Sequence, residues 1–186
     1  MKLQRGLKTL SAITLLLVAV VLSAQAPPTS AKPAQEMKKL DFLVGNWEGE
    51  GWMDINGQRS SFTSNEKVQS KLDGTILTIE GLHKSKVTGK EEPRIVHNAL
   101  AVISYDEPAN GYRFSSYLAD GRAGVYKGSV QDGTFIWLLE IPRGKMQYKI
   151  QLNEKGEWSE VGEYSPDGTT WRKIFEMTLH KVKSAA

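Results

Sequence analysis

The sequence predicts an all-β domain: an antiparallel up-and-down barrel of about ten strands with a short N-terminal helix. Three observations predict it. Two-residue turn signals recur along the chain, the runs between them alternate apolar and polar residues, and 186 residues with 40% apolar and 24% charged side chains suit one globular domain. A meander of this length would expose two unpaired edges, and closure into a barrel removes both.

The N-terminal segment has the pattern of an export signal. Three basic residues among the first eight precede an uncharged apolar run over residues 9–22, and Ala24 and Ala26 form the A-x-A pattern that signal peptidase accepts. The run is shorter than the ~20 residues of a membrane span. We therefore predict a signal peptide over residues 1–26, a periplasmic or secreted protein, and no membrane span after cleavage. An uncleaved anchor is the alternative, because Pro27 hinders cleavage.

Composition excludes several classes of partner and site. The signal segment holds three of the 24 basic residues and no acidic one, so the rest of the chain has 21 basic and 21 acidic residues. A chain without net charge has no electrostatic reason to bind nucleic acid or anionic membrane, and we expect neither as a partner. The absence of cysteine excludes disulfides, thiolate metal sites and cysteine nucleophiles. An exported protein without cysteine is typical of a bacterial envelope.

A linker and a short helix come before the strands. Residues 27–35 are rich in proline and alanine and lack any periodic pattern, which predicts a linker, with the barrel domain over 36–183. Over residues 35–44 the apolar side chains partly share one side, as in a helix. A helix of this length is not stable alone, so we expect it to pack against the barrel as a plug.

Turn dipeptides divide the domain into ten strands. Asn-Gly and Asp-Gly tolerate the positive φ of two-residue hairpin loops. From Asn110 onward the signals follow at intervals of 10, 12, 11, 12 and 12 residues, the spacing of an antiparallel all-β domain. Ten strands exceed the roughly eight whose side chains fill a barrel, so we expect a ligand-sized cavity; a two-sheet sandwich is the alternative. The nine signals begin at Asn56, Asp73, Thr88, Asn110, Asp120, Asp132, Arg143, Lys155 and Asp167.

Alternation within the runs indicates which side chains face inward. Met146, Tyr148 and Ile150 alternate with polar neighbours, and residues 171–179 place mostly large apolar groups on one face. We predict that the cavity binds a small, mostly apolar molecule and that the protein is a monomer or weak homodimer. The predicted ligand-binding residues are the larger inward side chains Trp47, Phe114, Tyr126, Trp137, Tyr148 and Phe175.

The most specific motif is LDFLVGNWEGEGW over residues 40–52. Gly49 and Gly51 share a face with Trp47, which leaves that face open to a close neighbour and lets the strand bend. The motif resembles the first strand of lipocalin-like (calycin) barrels. Together with the ending WRKIFEMTLHKV, the chain resembles a bacterial lipocalin-like family of unknown function. The resemblance implies that a basic residue of the last strand stacks on Trp47, and Arg172 and Lys173 are the candidates.

The same G-x-W-x-G-x-G string is also similar to nitrobindin, a ten-stranded haem-binding barrel. That resemblance implies a histidine ligand near the last strand. His180 is the candidate there, but alternation turns it outward, whereas His97 could point inward and matches no ligand motif; His83 lies near a strand end. We therefore expect no cofactor and no metal, with a haem-binding protein as an alternative function.

Enzyme signatures are missing from the sequence. It has no Gly-x-Ser-x-Gly elbow, no His-Glu-x-x-His motif and no phosphate-binding glycine loop, so no catalytic residue is assigned. Glu160 shares a face with Trp158 and Tyr164, and burial there would raise its pKa into the range of a general acid or base. The leading expectation is a carrier or sensor. A barrel enzyme acting on a hydrophobic substrate is the second alternative, and a structural or partner-binding envelope protein is the third.

Overall fold

The computed structural model of the protein describes residues 31–86 and 92–183. The predicted signal peptide and the predicted Thr88 turn lie outside these residues. Within them, ten antiparallel strands close into one barrel, and a short helix precedes the first strand. The predicted fold class is therefore confirmed, and the sandwich alternative is wrong. No helix in the described part of the chain is long and apolar enough to cross a membrane.

The barrel is an up-and-down meander. Every strand pairs with its neighbours in sequence, and the first strand closes the barrel against the last, with Trp47 opposite Lys181. The strands are β1 (Gly45–Ile55), β2 (Gln58–Lys71), β3 (Ile76–Ser85), β4 (Arg94–Asp106), β5 (Gly111–Leu118), β6 (Ala123–Gln131), β7 (Thr134–Ile141), β8 (Gly144–Leu152), β9 (Trp158–Ser165) and β10 (Arg172–Val182).

The hairpins form where the turn dipeptides predict them. The eight predicted turns within the described residues all fall between consecutive strands. Asn56 and Asp132 have φ of 55° and 48°, the left-handed conformation that asparagine and aspartate tolerate better than most residues. Local turn chemistry therefore sets the number of strands and their lengths.

A helical plug closes one end of the barrel. Helix α1 (Lys32–Met37) continues into a 3₁₀ helix over Lys38–Leu43. The helix begins earlier than predicted, so residues 32–35 of the expected linker are helical; a proline in the first turn suits a helix start. Met37, Leu40 and Leu43 are buried against the barrel, as the predicted plug requires.

Hydrogen bonds fasten the plug to the strands. The Trp47 indole Nε1 donates to the backbone oxygen of Leu43 at 2.7 Å, and the Tyr112 hydroxyl donates to the backbone oxygen of Glu36 at 2.9 Å. Below the plug the barrel is packed solid, and Trp47 and Trp158 meet edge to face at 5.8 Å. The side chains exposed by no more than 1% in this half include Trp47, Leu77, Ile103, Phe135, Trp158 and Leu179.

The basic residue over Trp47 is Lys181, not Arg172 or Lys173. Its Nζ lies 5.1 Å from the ring centroid, whereas the Arg172 guanidinium lies over Tyr164 at 5.5 Å. The register explains the error, because Trp47 faces Lys181 across β1 and β10 while Arg172 starts β10 at the opposite end of the barrel. A register shift between Lys173 and Phe175 also separates the start of β10 from the alternation of its later residues.

Candidate functional site

An internal cavity of about 150 Å³ lies in the half of the barrel away from the plug. A cavity of ~150 Å³ holds a molecule of about the size of benzene, whereas drug-sized ligands fill pockets of roughly 300–1,000 Å³. The sequence predicts a cavity but not its small volume. Plug and core fill the half of the barrel at the plug end, so the free space lies beyond them.

All six predicted ligand-binding side chains lie on the inner face, and four of them line the cavity: Phe114, Trp137, Tyr148 and Phe175. Trp47 instead belongs to the packed half under the plug, where it is 1% exposed. Tyr126 is not among the residues that line the cavity, and its ring lies 5.3 Å from the Trp137 ring. Ligand contact by any of the six stays a prediction.

One wall of the cavity is a stack of three aromatic rings. Trp137 lies between Phe114 and Tyr148, with ring centroids 4.6 Å and 4.3 Å away and interplanar angles of 5° and 8°. Gly162 makes room for this stack, because a Cβ at that position would lie 2.7 Å from the Tyr148 ring. The result is an apolar wall of three stacked rings, whose edges are the surface open to a bound ring.

Trp137 also carries an unused hydrogen-bond donor. Its Nε1 is buried and has no hydrogen-bond partner within the described part of the chain. A buried donor without a partner costs roughly 1–3 kcal/mol. An acceptor on a bound molecule would recover that free energy.

A buried carboxyl–imidazole pair lies on another part of the wall. Glu66 on β2 and His83 on β3 are 7% and 6% exposed, and His83 Nε2 lies 2.9 Å from Glu66 Oε1. The Ser64 hydroxyl donates to the same oxygen at 3.1 Å. Gly81 leaves space for the carboxyl, because a Cβ there would lie 2.6 Å from Glu66 Oε2.

Burial favours the neutral form of both groups. It raises the pKa of Glu66 to about 8, against the smaller opposing effect of the Ser64 hydrogen bond. Burial also lowers the pKa of His83 to about 4. At neutral pH the pair is therefore an uncharged hydrogen bond that shares one proton.

A second carboxyl, Glu160 on β9, lines the same cavity. Its Oε2 accepts a hydrogen bond from Trp158 Nε1 at 3.2 Å. Burial, and to a smaller extent the neighbouring Glu66, raise its pKa to about 8. The inward position and raised pKa confirm what the alternation around Glu160 indicates.

Histidines divide between the two faces. His97 lines the cavity 4.8 Å from the His83 ring, and burial lowers its pKa to about 4. His180 is exposed on the outer face of β10, as alternation predicts.

Sequence reasoning missed the role of Glu66 and His83. A signal was available, since Phe62, Ser64 and Glu66 alternate along β2 on the face that also carries Val68. Polar residues on an otherwise apolar inner face indicate a polar patch inside the barrel. Their pairing across β2 and β3 depends on the register between strands, which the separate runs do not specify.

A wider depression of about 990 Å³ lies on the outside of strands β1 to β5. Its lining includes Glu48, Lys67 and Glu80, which point to solvent and carry charges of both signs. An open surface of this kind does not enclose a small molecule. The internal cavity is therefore the candidate site.

The central cavity does not fit haem. A haem macrocycle is larger than the drug-sized molecules that need roughly 300 Å³ or more, and the cavity offers about 150 Å³. The Nε2 of His83 is already hydrogen bonded to Glu66. In the described ranges no three histidine, cysteine or acidic residues are grouped to hold a metal ion.

A closed ten-strand antiparallel barrel with a helix at one end and an internal cavity is a lipocalin-like fold. Solved structures with this fold include the following two. Rv2717c from M. tuberculosis matches with a TM-score of 0.57 and 12% identity over 81% of this chain and 99% of its own. The S-type phycobiliprotein lyase CpeS from Guillardia theta matches with a TM-score of 0.53 and 14% identity over 86% of this chain and 100% of its own. At these identities the likeness shows the fold alone.

Comparison with protein-family models gives no match, and comparison with curated proteins gives none either.

Proposed function

We propose that the protein binds a small planar molecule of about the size of benzene in its central cavity, as a carrier or sensor. The observation that carries this proposal is Trp137, whose indole forms the middle of the aromatic wall while its Nε1 has no partner among the described residues. The aromatic wall provides affinity through burial, and the few polar groups fix orientation. The sequence predicts a mostly apolar ligand. Because polar groups line the cavity, we propose that this ligand also makes hydrogen bonds.

Benzyl alcohol tests the proposal, since it has a planar ring and one acceptor oxygen. We expect it to raise the melting temperature of the wild-type protein. The Trp137→Phe variant keeps an aromatic ring but loses the donor, so we expect roughly a five- to tenfold weaker affinity for the probe, the worth of one hydrogen bond. Trp52→Phe is the matched control, because the Trp52 Nε1 already donates to Glu176 at 3.2 Å, away from the cavity. Equal binding by both variants would contradict the role of Trp137.

The native ligand is accessible by mass spectrometry. The mature protein, purified from its native envelope, is weighed under native and then denaturing conditions. A mass that is lost on denaturation identifies the carried molecule. We expect that mass to correspond to a small ring compound and not to haem.

We also propose that the protein is exported, to the periplasm or the medium, as a monomer or weak homodimer. The support is the basic, apolar and small-residue order of residues 1–26. Cell fractionation with intact-mass measurement tests export. We expect Leu16→Arg, which interrupts the apolar run, to retain the protein in the cytoplasm. Sedimentation velocity across protein concentrations tests the oligomeric state.

A second candidate function is acid–base catalysis on a small hydrophobic substrate. Two observations favour it: the Glu66–His83 hydrogen bond of 2.9 Å, and the pKa of Glu160, which burial and the neighbouring Glu66 raise to about 8. A buried carboxyl with a pKa near 8 can hold and transfer a proton near neutral pH. Proton exchange from a small ring ketone, followed by NMR in D₂O, tests this function, and loss of exchange in Glu66→Gln would support it.

A further inference from the structure

We propose that the molecule bound in the central cavity is a small aromatic cation, a ring that carries a protonated amine. This inference rests on the proposed binding function and names its ligand class. The geometry that supports it is the placement of two carboxyls and an aromatic wall around one cavity whose lining contains neither lysine nor arginine among the described residues.

The cavity lining carries two acidic side chains and neither lysine nor arginine among the described residues. Glu66 and Glu160 provide negative charge when they ionise, and the other titratable groups that face the space are His83, His97 and Tyr148. Burial keeps both histidines neutral at pH 7, so neither repels a bound cation. An anion, by contrast, would find no lysine or arginine to pair with among the lining residues that the structure describes.

Each carboxyl also has an oxygen without a donor. Glu66 Oε1 accepts from Ser64 and lies against His83, and Glu160 Oε2 accepts from Trp158, but no hydrogen bond within the described chain ends on Glu66 Oε2 or Glu160 Oε1. A carboxylate accepts several hydrogen bonds, and an ammonium offers three donors. Free carboxyl oxygens in an enclosed space are therefore complementary to an ammonium group.

Glu160 is the carboxyl that we expect to pair with the amine. Glu66 already has two hydrogen-bond partners, whereas Glu160 has one, the Trp158 indole. The two carboxyls also interact, because ionisation of one disfavours ionisation of the other. We therefore expect one ammonium group to pair with one ionised carboxyl. When the ammonium binds, Glu160 releases its proton to solvent.

The aromatic stack accommodates the ring of such a ligand. Phe114 and Tyr148 cover both faces of Trp137, so the ligand ring packs against the edge of the stack, and Glu66 and Glu160 line the same cavity. Burial of an apolar ring contributes affinity in proportion to its area, and the charge-assisted hydrogen bond adds selectivity.

Three probes of matched shape test the inference: benzylamine, benzyl alcohol and benzoate. Their binding to the full chain is measured by isothermal titration calorimetry at pH 7. We expect benzylamine to bind roughly tenfold or more tightly than benzyl alcohol, as one charge-assisted hydrogen bond warrants, and benzoate not to bind. Benzylamine binding should also release a proton, which appears as a heat that depends on the ionisation enthalpy of the buffer.

The Glu160→Gln variant provides the second part of the test. Its affinity for benzylamine should be roughly tenfold weaker than that of the wild type, and its affinity for benzyl alcohol should change by less than about threefold. Glu176→Gln, on the outer face of β10, is the matched control and should leave both affinities unchanged. If benzyl alcohol binds as tightly as benzylamine, the cation inference is overturned while the proposed function stands; if no probe binds, both are overturned. Because the wild-type series alone decides the ligand charge, a poorly folded variant does not obscure the result.

Discussion

Replacing Glu160 by glutamine should stabilise the barrel more at alkaline pH than at acid pH. The pKa of Glu160 is raised from 4.5 to about 8 by burial and by Glu66. Between these values the folded chain holds a proton that the unfolded chain has released, so the stability that the carboxyl provides at low pH is lost as the pH rises through the folded pKa. Glutamine does not titrate, so the Glu160→Gln variant does not lose this stability as the pH rises.

The magnitude follows from the size of the shift. One pKa unit corresponds to about 1.4 kcal/mol, so from about pH 5 to pH 8 the single carboxyl lowers the free energy of unfolding by up to about 4 kcal/mol. His83 and His97 act in the opposite direction below about pH 6.5, since their folded pKa values are lowered to about 4. Both chains contain these histidines, so their contribution cancels in the difference between wild type and variant.

Urea unfolding followed by tryptophan fluorescence at pH 5, 6.5 and 8 measures the effect. From pH 5 to pH 8, the free energy of unfolding of Glu160→Gln should rise relative to that of the wild type by up to about 4 kcal/mol. Glu176→Gln is the matched control: Lys173 and Trp52 hold the pKa of Glu176 below its usual value of 4.5, so its titration lies below this pH range and its difference from wild type should stay nearly constant. A difference for Glu160→Gln that is the same at pH 5 and pH 8 would refute the reasoning.

Two further substitutions test the packing around the cavity and the plug. Gly81→Ala places a Cβ within 2.6 Å of Glu66 Oε2, so it should displace the carboxyl, weaken its contact with His83 and destabilise the protein by about 1–3 kcal/mol in urea unfolding; an unchanged midpoint would contradict the assigned contact. Lys181→Met keeps the apolar stem but removes the charge over Trp47, and we expect a loss of about 0.5–1 kcal/mol and a shift in Trp47 emission. Arg172→Met is the control variant. A shift in fluorescence emission as large as that of Lys181→Met would show that Lys181 is not the residue over Trp47.

The number of strands was predictable because it depends on local chemistry. Dipeptides such as Asn56-Gly57 and Asp132-Gly133 favour a reversal by their own backbone preferences, whatever the rest of the chain does. Alternation along each strand then assigns inner and outer faces, which is why His180 is correctly placed outside and Glu160 inside. Both inferences need only neighbouring residues.

The residue over Trp47 and the size of the cavity were not predictable in this way. Lys181 faces Trp47 only because β1 and β10 pair in one register, between residues far apart in the chain. The cavity volume depends on how much of the barrel the plug and the core fill. The Glu66–His83 pair likewise needs the β2–β3 register, and the sequence shows only that each lies in an extended run.

Closure of β1 against β10 also makes the two ends of the folded chain neighbours. Asn46 and Val182 face each other across that ladder, at the same end of the barrel as the plug. The strands therefore form a closed ring without an edge strand. The β1–β10 pairing that closes this ring joins the strands most distant in sequence. Because loop closure over such a distance costs the most chain entropy, we expect this ladder to form last and the cavity to be completed only with it.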